Sequence, residues 1–197
     1  MNNFFLNDLL FLIPEIFFIF SIIVILIYSI FISNKYILLN NKKYNTPIIT
    51  SIVNNLIIYF LMILIILYFL NLNNFKILFT GQFVINYYSQ IGKILVLTIT
   101  ILCLLTFNSY LKNNKINNYE YLILTIISVL SVCLLLNTND LLHYYIIIEL
   151  QSLCFYTITA LKKNNIYSSE AGLKYFILGS IISGLLLLGI ALLYVFA

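Results

Sequence analysis

Glu149 is the residue whose position points most directly to chemistry, because it lies near the middle of the apolar stretch 141–161. A carboxylate inside a bilayer is costly unless it is paired, hydrated or protonated, and such residues mark proton or ion pathways. Tyr145, Ser152 and Tyr156 lie at helical spacing on the same face. A hydroxyl-lined face with one acid can hold water and pass a proton. The alternative is a neutral glutamate fixed by hydrogen bonds between helices.

Lys174 is the second candidate and lies near the start of the next apolar stretch, 169–196. The positive end of a helix dipole disfavours a cation at this position, so this lysine could lose and regain a proton. The alternative is a local ion pair with Glu170, four residues earlier in the favourable order, with the lysine stem reaching the interface. The residues alone leave both interpretations open.

The remaining polar residues of the apolar stretches predict simpler roles. Glu15 follows Pro14 at the start of the first stretch, which is typical of a helix N-terminus. Asp140 is expected to cap the fifth helix, with His143 at the membrane interface. The sequence contains no glycine-rich phosphate loop and no cysteine cluster, so no metal, nucleotide, flavin or iron–sulfur centre is expected on this chain.

The composition defines the environment of these residues. Of 197 residues, 63% are apolar and 8% are charged, with a mean hydropathy of +1.08. Soluble domains carry about 25% charged residues, so the chain is expected to be an integral membrane protein surrounded by lipid, and a soluble enzyme is excluded. The net charge of +4 is spread along the chain without a basic block, which argues against nucleic-acid binding.

Six continuous apolar stretches predict an all-α, polytopic transmembrane helix bundle. Each stretch is near or above the length that crosses a hydrocarbon core, and none alternates as a membrane strand would. We treat residues 1–197 as a single transmembrane domain and leave the connector 71–90 unassigned. The predicted spans are about 9–32, 48–70, 94–111, 121–136, 141–161 and 169–196.

Lysine placement predicts the orientation of the bundle. Seven lysines lie in the first, third and fifth loops, whereas Lys76 and Lys93 lie on the other side. The positive-inside rule then places both termini on the outer face. In the last span, the pairs Gly179/Ser183 and Ser180/Gly184 predict close helix packing.

Two segments on consecutive predicted helices carry a resemblance to a known family. IELQSLCFY (148–156) and SSEAGLKYFILG (168–179) closely resemble subunit 2 of the proton-pumping NADH:ubiquinone oxidoreductase, respiratory complex I. LIPEIF (12–17) is similar too. The resemblance favours subunit 2 over its antiporter-like relatives, subunits 4 and 5.

The resemblance implies a role for this chain in proton translocation. Members of the family have an antiporter-like fold and hold no redox centre. NADH, flavin, iron–sulfur clusters and ubiquinone are therefore expected elsewhere in the complex. The family's carboxylate on the fifth helix matches Glu149, and its lysine on the sixth helix matches Lys174. In the family these two residues form a charge pair that modulates proton transfer.

The sequence departs from the family pattern after the sixth span. The broken seventh helix and the later lysines of the family are absent from these 197 residues. The expectation is therefore the N-terminal piece of a split subunit, partnered by a separate chain with the C-terminal half and by other membrane-arm subunits. The mitochondrial inner membrane is the expected location, with both termini in the intermembrane space. The rivals are a cation/proton antiporter component and a structural membrane subunit without a proton path.

Overall fold

In the part of the chain that the structure describes, the fold consists of six α-helices and one short hairpin. The structure, a computed structural model, describes residues 9–39, 46–72, 75–113, 119–162 and 165–196. The predicted all-α polytopic bundle is confirmed, while the single domain over 1–197 stays a prediction. In chain order the elements are α1 (Ile13–Leu39), α2 (Thr46–Leu70), β1 (Lys76–Leu78), β2 (Phe83–Ile85), α3 (Tyr87–Asn113), α4 (Tyr119–Leu135), α5 (Leu141–Thr159) and α6 (Ile166–Phe196).

Five of these helices are long and apolar enough to cross a membrane: α1, α2, α3, α5 and α6. Helix α4 has 17 residues, which is a length of about 26 Å at 1.5 Å per residue. That length is at the lower end for a spanning helix. Large apolar side chains such as Phe31, Phe69 and Leu185 are exposed on the outside of the bundle. This pattern fits a lipid-facing surface.

Helices α1 to α4 pack together around one apolar core. The buried stripe of α2 follows the helical period, which explains why this face turns inward. Helix α5 packs on α4, and α6 packs on α5, so α6 lies at the edge of the bundle. The buried residues of the α2 stripe are Val53, Ile57, Leu61, Leu64 and Tyr68.

The unassigned connector contains a two-stranded antiparallel hairpin. Strand β1 pairs with β2 in the register Lys76↔Ile85 and Leu78↔Phe83. Gly81, in the turn between them, has φ +99°, a conformation that favours glycine. The hairpin also binds the segment between α4 and α5, because the Val84 amide donates to the Asn137 carbonyl at 2.8 Å. The runs of this connector were too short and mixed to predict the hairpin.

Candidate functional site

The Glu149 side chain lies midway along α5 and is half-buried. The Ser152 hydroxyl donates to the Glu149 backbone carbonyl at 2.9 Å and not to its carboxylate. Among the residues that the structure describes, no lysine lies within ion-pair distance of this carboxylate. Glu149 is therefore a mid-helix acid at the flank of the four-helix core.

The three predicted path-lining residues occupy different surroundings. Tyr145 and Ser152 are half-buried, whereas Tyr156 is buried between α5 and α6. The Tyr156 ring stacks edge-on against Tyr175, with 4.8 Å between the centroids. Its hydroxyl lies over Gly179, where an added Cβ would be 1.8 Å away. Tyr156 thus fills the notch in α6 at Gly179, whereas Gly184 of the second predicted pair meets no atom within 4 Å. The path-lining role of all three residues stays a prediction.

Lys174 forms a local ion pair on α6. Its ammonium lies 2.6 Å from the Glu170 carboxylate, and the two side chains are 71% and 54% exposed. This is one of the two arrangements that the spacing of the residues left open. Within the described part of the chain, Lys174 does not contact Glu149. The pairing of Glu149 with Lys174 stays a prediction.

The structure contains a buried ion pair that sequence reasoning missed. The Lys93 ammonium on α3 lies 2.5 Å from the Glu15 carboxylate on α1, and their side chains are 0% and 6% exposed. Asn137, just after α4, donates its side-chain amide to the same Glu15 oxygen at 3.2 Å. The Tyr68 ring of α2 lies 4.8 Å from the Lys93 ammonium, within the range of a cation–π contact. We call Glu15, Lys93, Asn137 and Tyr68 the buried polar cluster.

One expectation about this cluster was incomplete and one was wrong. Glu15 lies in the first turn of α1, as predicted, but its side chain also reaches across to α3. Lys93 was placed outside the third span, because the apolar run was taken to begin at residue 94. Helix α3 instead begins at Tyr87, which puts Lys93 inside the bundle. A helical stripe could have revealed this position, since Gln90, Leu97 and Leu104 share the buried face with Lys93.

The loss of one partner of the buried ion pair would cost more free energy than the complete pair contributes. Two charges removed from water recover their desolvation cost only with close pairing and further hydrogen bonds. Oε1 of Glu15 has both, through its short contact with Lys93 and the amide of Asn137, whereas Oε2 of Glu15 is buried without a hydrogen-bond partner. Removal of one partner would leave an uncompensated buried charge, at a cost of about 3–5 kcal/mol. The cluster therefore ties α1 and α3 to the end of α4.

A second polar cluster lies where α5 begins. Asp140 caps α5 by accepting from the Leu142 amide, as predicted. The Tyr194 hydroxyl near the end of α6 donates to the Asp140 carboxylate, and His143 Nδ1 lies 2.9 Å from its other oxygen. The hydrogen bond from Tyr194, followed by that from His143, lowers the pKa of Asp140 below its ordinary value of 3.8. This contact holds the start of α5 against the end of α6.

Candidate metal ligands are not clustered in the residues that the structure describes. Searching those residues finds no group of three or more His, Cys, Asp or Glu side chains able to hold a metal ion. The chemistry available in this part of the chain is that of carboxylates, lysines and hydroxyls. Such groups can hold and pass protons.

Comparison with known proteins gives one consistent result. A family model described as "NADH:quinone oxidoreductase/Mrp antiporter, TM" matches residues 138–197. NADH-ubiquinone oxidoreductase chain 2 of Marchantia polymorpha is 36% identical in an alignment of 195 residues that covers 96% of this chain and 38% of the relative. NADH-quinone oxidoreductase subunit N of Pelagibacter ubique is 35% identical over 193 residues, or 98% and 38% of the two chains.

A further relative and a solved structure agree. Subunit N of Paramagnetospirillum magneticum is 41% identical over 119 residues, covering 60% of this chain and 24% of that one. A chain in respiratory complex I from Thermus thermophilus with bound aureothin matches at a TM-score of 0.60 and 21% identity, over 88% of this chain and 36% of that one. The latter match establishes the fold. The chain spans between about a quarter and two fifths of the length of these relatives.

The fold is that of an antiporter-like membrane subunit of respiratory complex I. Within that class, the chain is a homologue of the subunit N and chain 2 proteins along nearly its whole length. This confirms the resemblance that the segments 148–156 and 168–179 predicted.

Proposed function

We propose that this chain acts as a membrane-arm subunit of a proton-translocating NADH:quinone oxidoreductase. The observation that carries the proposal is its similarity to subunit N and chain 2 proteins over 96–98% of its length. The matching fold gives independent support. NADH, flavin, iron–sulfur clusters and quinone would be bound by other subunits, and this chain would move protons.

Glu149 is proposed to hold the translocated proton. Its carboxylate lies half-buried in the middle of a membrane-length helix, and no lysine of the described chain neutralises it. Such a group takes up a proton when its surroundings are apolar and releases it when a cation approaches. Lys174, which Glu170 holds at 2.6 Å, is the proposed second member of the path. The contacts of Tyr156 with Gly179 and of Asp140 with Tyr194 place Lys174 at a different level of the helix pair from Glu149, so the proton would pass between them through water and groups of neighbouring helices.

The path is proposed to be completed by helices packed against α5 and α6. Helix α6 has Gly172 and Ile190 as its buried residues, so most of its surface is free to pack with further helices. An added Cβ at Gly184 would meet no atom within 4 Å, leaving this notch open for a neighbour. A separate polypeptide with intramembrane lysines, the C-terminal part of a split subunit, is the proposed occupant. The complex would lie in the mitochondrial inner membrane.

A cation/proton antiporter component is the second candidate. The description of the matched family model names the Mrp antiporter beside NADH:quinone oxidoreductase. Both functions would use an intramembrane carboxylate, so Glu149 does not separate them. The excess of lysines in the first, third and fifth loops, which predicts the orientation, does not separate the two functions either.

Purification of the native assembly tests the proposal. A tagged chain is extracted in mild detergent, and the co-purifying chains are identified by mass spectrometry. We expect NADH–quinone reductase activity to co-purify, together with a second chain rich in apolar helices. An assembly that lacks NADH oxidation and exchanges sodium for protons would establish the antiporter function instead. A complex with only lipid beside α6 would contradict the split subunit.

A further inference from the structure

We infer that the buried polar cluster is a positioning site that fixes the start of α5, and with it the place of Glu149. Glu15 belongs to α1, Tyr68 to α2 and Lys93 to α3, while Asn137 follows the end of α4. One carboxylate oxygen of Glu15 accepts from both Lys93 and Asn137. The cluster therefore joins all four core helices at one end of the bundle.

Asn137 connects this cluster to α5 through the short segment 137–140. The Asn137 side chain donates to Glu15, and its backbone carbonyl accepts from Val84 of the hairpin. Two residues later, Asn139 donates its backbone amide to the Gln82 carbonyl at 3.0 Å. Asp140 then caps α5. The segment is thus held by the ion pair on one side and by the hairpin on the other.

The geometry of the cluster favours positioning over proton transfer. Lys93 is fully buried, and Glu15 is 6% exposed at the side chain. Hairpin residues Leu78 and Ile85, at the same end of the bundle, are buried as well. A buried ion pair at 2.5 Å with an amide on the same oxygen couples the positions of the elements that carry it, because separation would leave each charge unpaired in the interior. From Asp140 to Glu149, α5 rises by about 13 Å, so a shift of its start would displace the carboxylate.

A cysteine cross-link between the hairpin and the segment measures this position directly. Phe83 and Thr138 form an antiparallel bridge, and the Cα separation of such a pair suits a disulfide. The background would carry alanine in place of the three native cysteines, Cys103, Cys133 and Cys154. The yield of the Phe83→Cys/Thr138→Cys cross-link in native membranes is then compared among cluster variants.

Lys93→Met should lower the cross-link yield about tenfold, because it leaves Glu15 charged and unpaired. Lys76→Met is the matched control, since Lys76 is an exposed lysine of the same hairpin, and it should leave the yield unchanged. The exchanged pair Glu15→Lys/Lys93→Glu should restore the yield to within about twofold of the parent, because the charges again neutralise each other and the Asn137 amide can turn to accept. The single variants Glu15→Lys and Lys93→Glu should not restore the cross-link yield.

Three results would overturn the inference. In the first, Lys93→Met cross-links as well as the parent. In the second, the exchanged pair stays as low as Lys93→Met. In the third, Glu15→Gln cross-links normally but abolishes proton pumping, which would place the pair in the proton path. The importance of a displaced Glu149 rests on the proposed function, but the cross-link test of the buried polar cluster does not. If Glu149→Gln pumped normally, the proposed function would fail while the cross-link results still decided the positioning role.

Discussion

Asp140 joins the start of α5 to the end of α6 through its contacts with Tyr194 and His143. Because these contacts stabilise the ionised carboxylate, the pKa of Asp140 is lower in the folded chain than in the unfolded one. The resulting stabilisation is present above the ordinary pKa of 3.8 and is lost as the pH falls through the lower folded value.

The expected outcome is an acid-sensitive contact between α5 and α6. Acidification below about pH 4 should lower the unfolding temperature of the purified chain in detergent, and the part due to Asp140 should vanish in Asp140→Asn. The measurement is thermal unfolding by circular dichroism across the acidic range. Equal acid sensitivity of the parent and the variant would contradict this account of Asp140.

Single residues differed in how far the sequence could predict them. The cap at Asp140 was predicted from spacing within one helix, and the same kind of local rule offered the Glu170–Lys174 pair as one of two interpretations. The Glu15–Lys93 pair joins residues 78 positions apart, and its formation depends on how α1 packs against α3. No local rule contains that information, although the stripe shared by Lys93 and Leu97 marks the buried face.

The helices themselves were predictable because each corresponds to a continuous apolar stretch of the sequence. Their ends were less so, as the polar start of α3 at Tyr87 shows. There the run 87–93 contains polar residues that the fold buries, including Gln90 and Lys93. The hairpin escaped prediction because each strand has only three residues and depends on its contact with Asn137.

Helix α5 packs against α6 where Tyr156 lies over Gly179. Gly179→Ala should destabilise the chain by about 1–3 kcal/mol, because the new Cβ would overlap the Tyr156 hydroxyl. Gly184→Ala is the matched control, since its Cβ would meet no atom within 4 Å. Unfolding temperatures in detergent measure both variants. An equal loss in the two would show that Tyr156 does not occupy the notch at Gly179.

The orientation of the whole molecule follows from the lysines outside the helix core. Because Lys93 is buried in an ion pair, it no longer counts as a loop charge, and Lys76 alone remains against the seven lysines of the other side. The positive-inside rule therefore predicts both termini on the outer face. Protease access to terminal tags in sealed vesicles measures this. A terminus protected on the inner side would refute the predicted topology.

In the proposed function, the chain supplies one part of a proton path to a larger assembly. Its helices α1 to α4 form a packed core, whereas α5 and α6 carry Glu149 and Lys174 at the edge. An edge of this kind is functional only when other helices cover it, because an ionised carboxylate facing lipid is costly. The function therefore belongs to the assembly and can be measured only there.

The proposed role of Glu149 is tested most directly by the number of protons that the assembled complex with Glu149→Gln pumps per electron. Glutamine keeps the size and hydrogen bonding of the side chain but cannot ionise, so assembly should persist while the ratio falls. Glu120→Gln, at an exposed acid of α4, is the matched control and should pump at the parental ratio. A Glu149→Gln complex that assembles and pumps at the parental ratio would contradict the proposed role of Glu149.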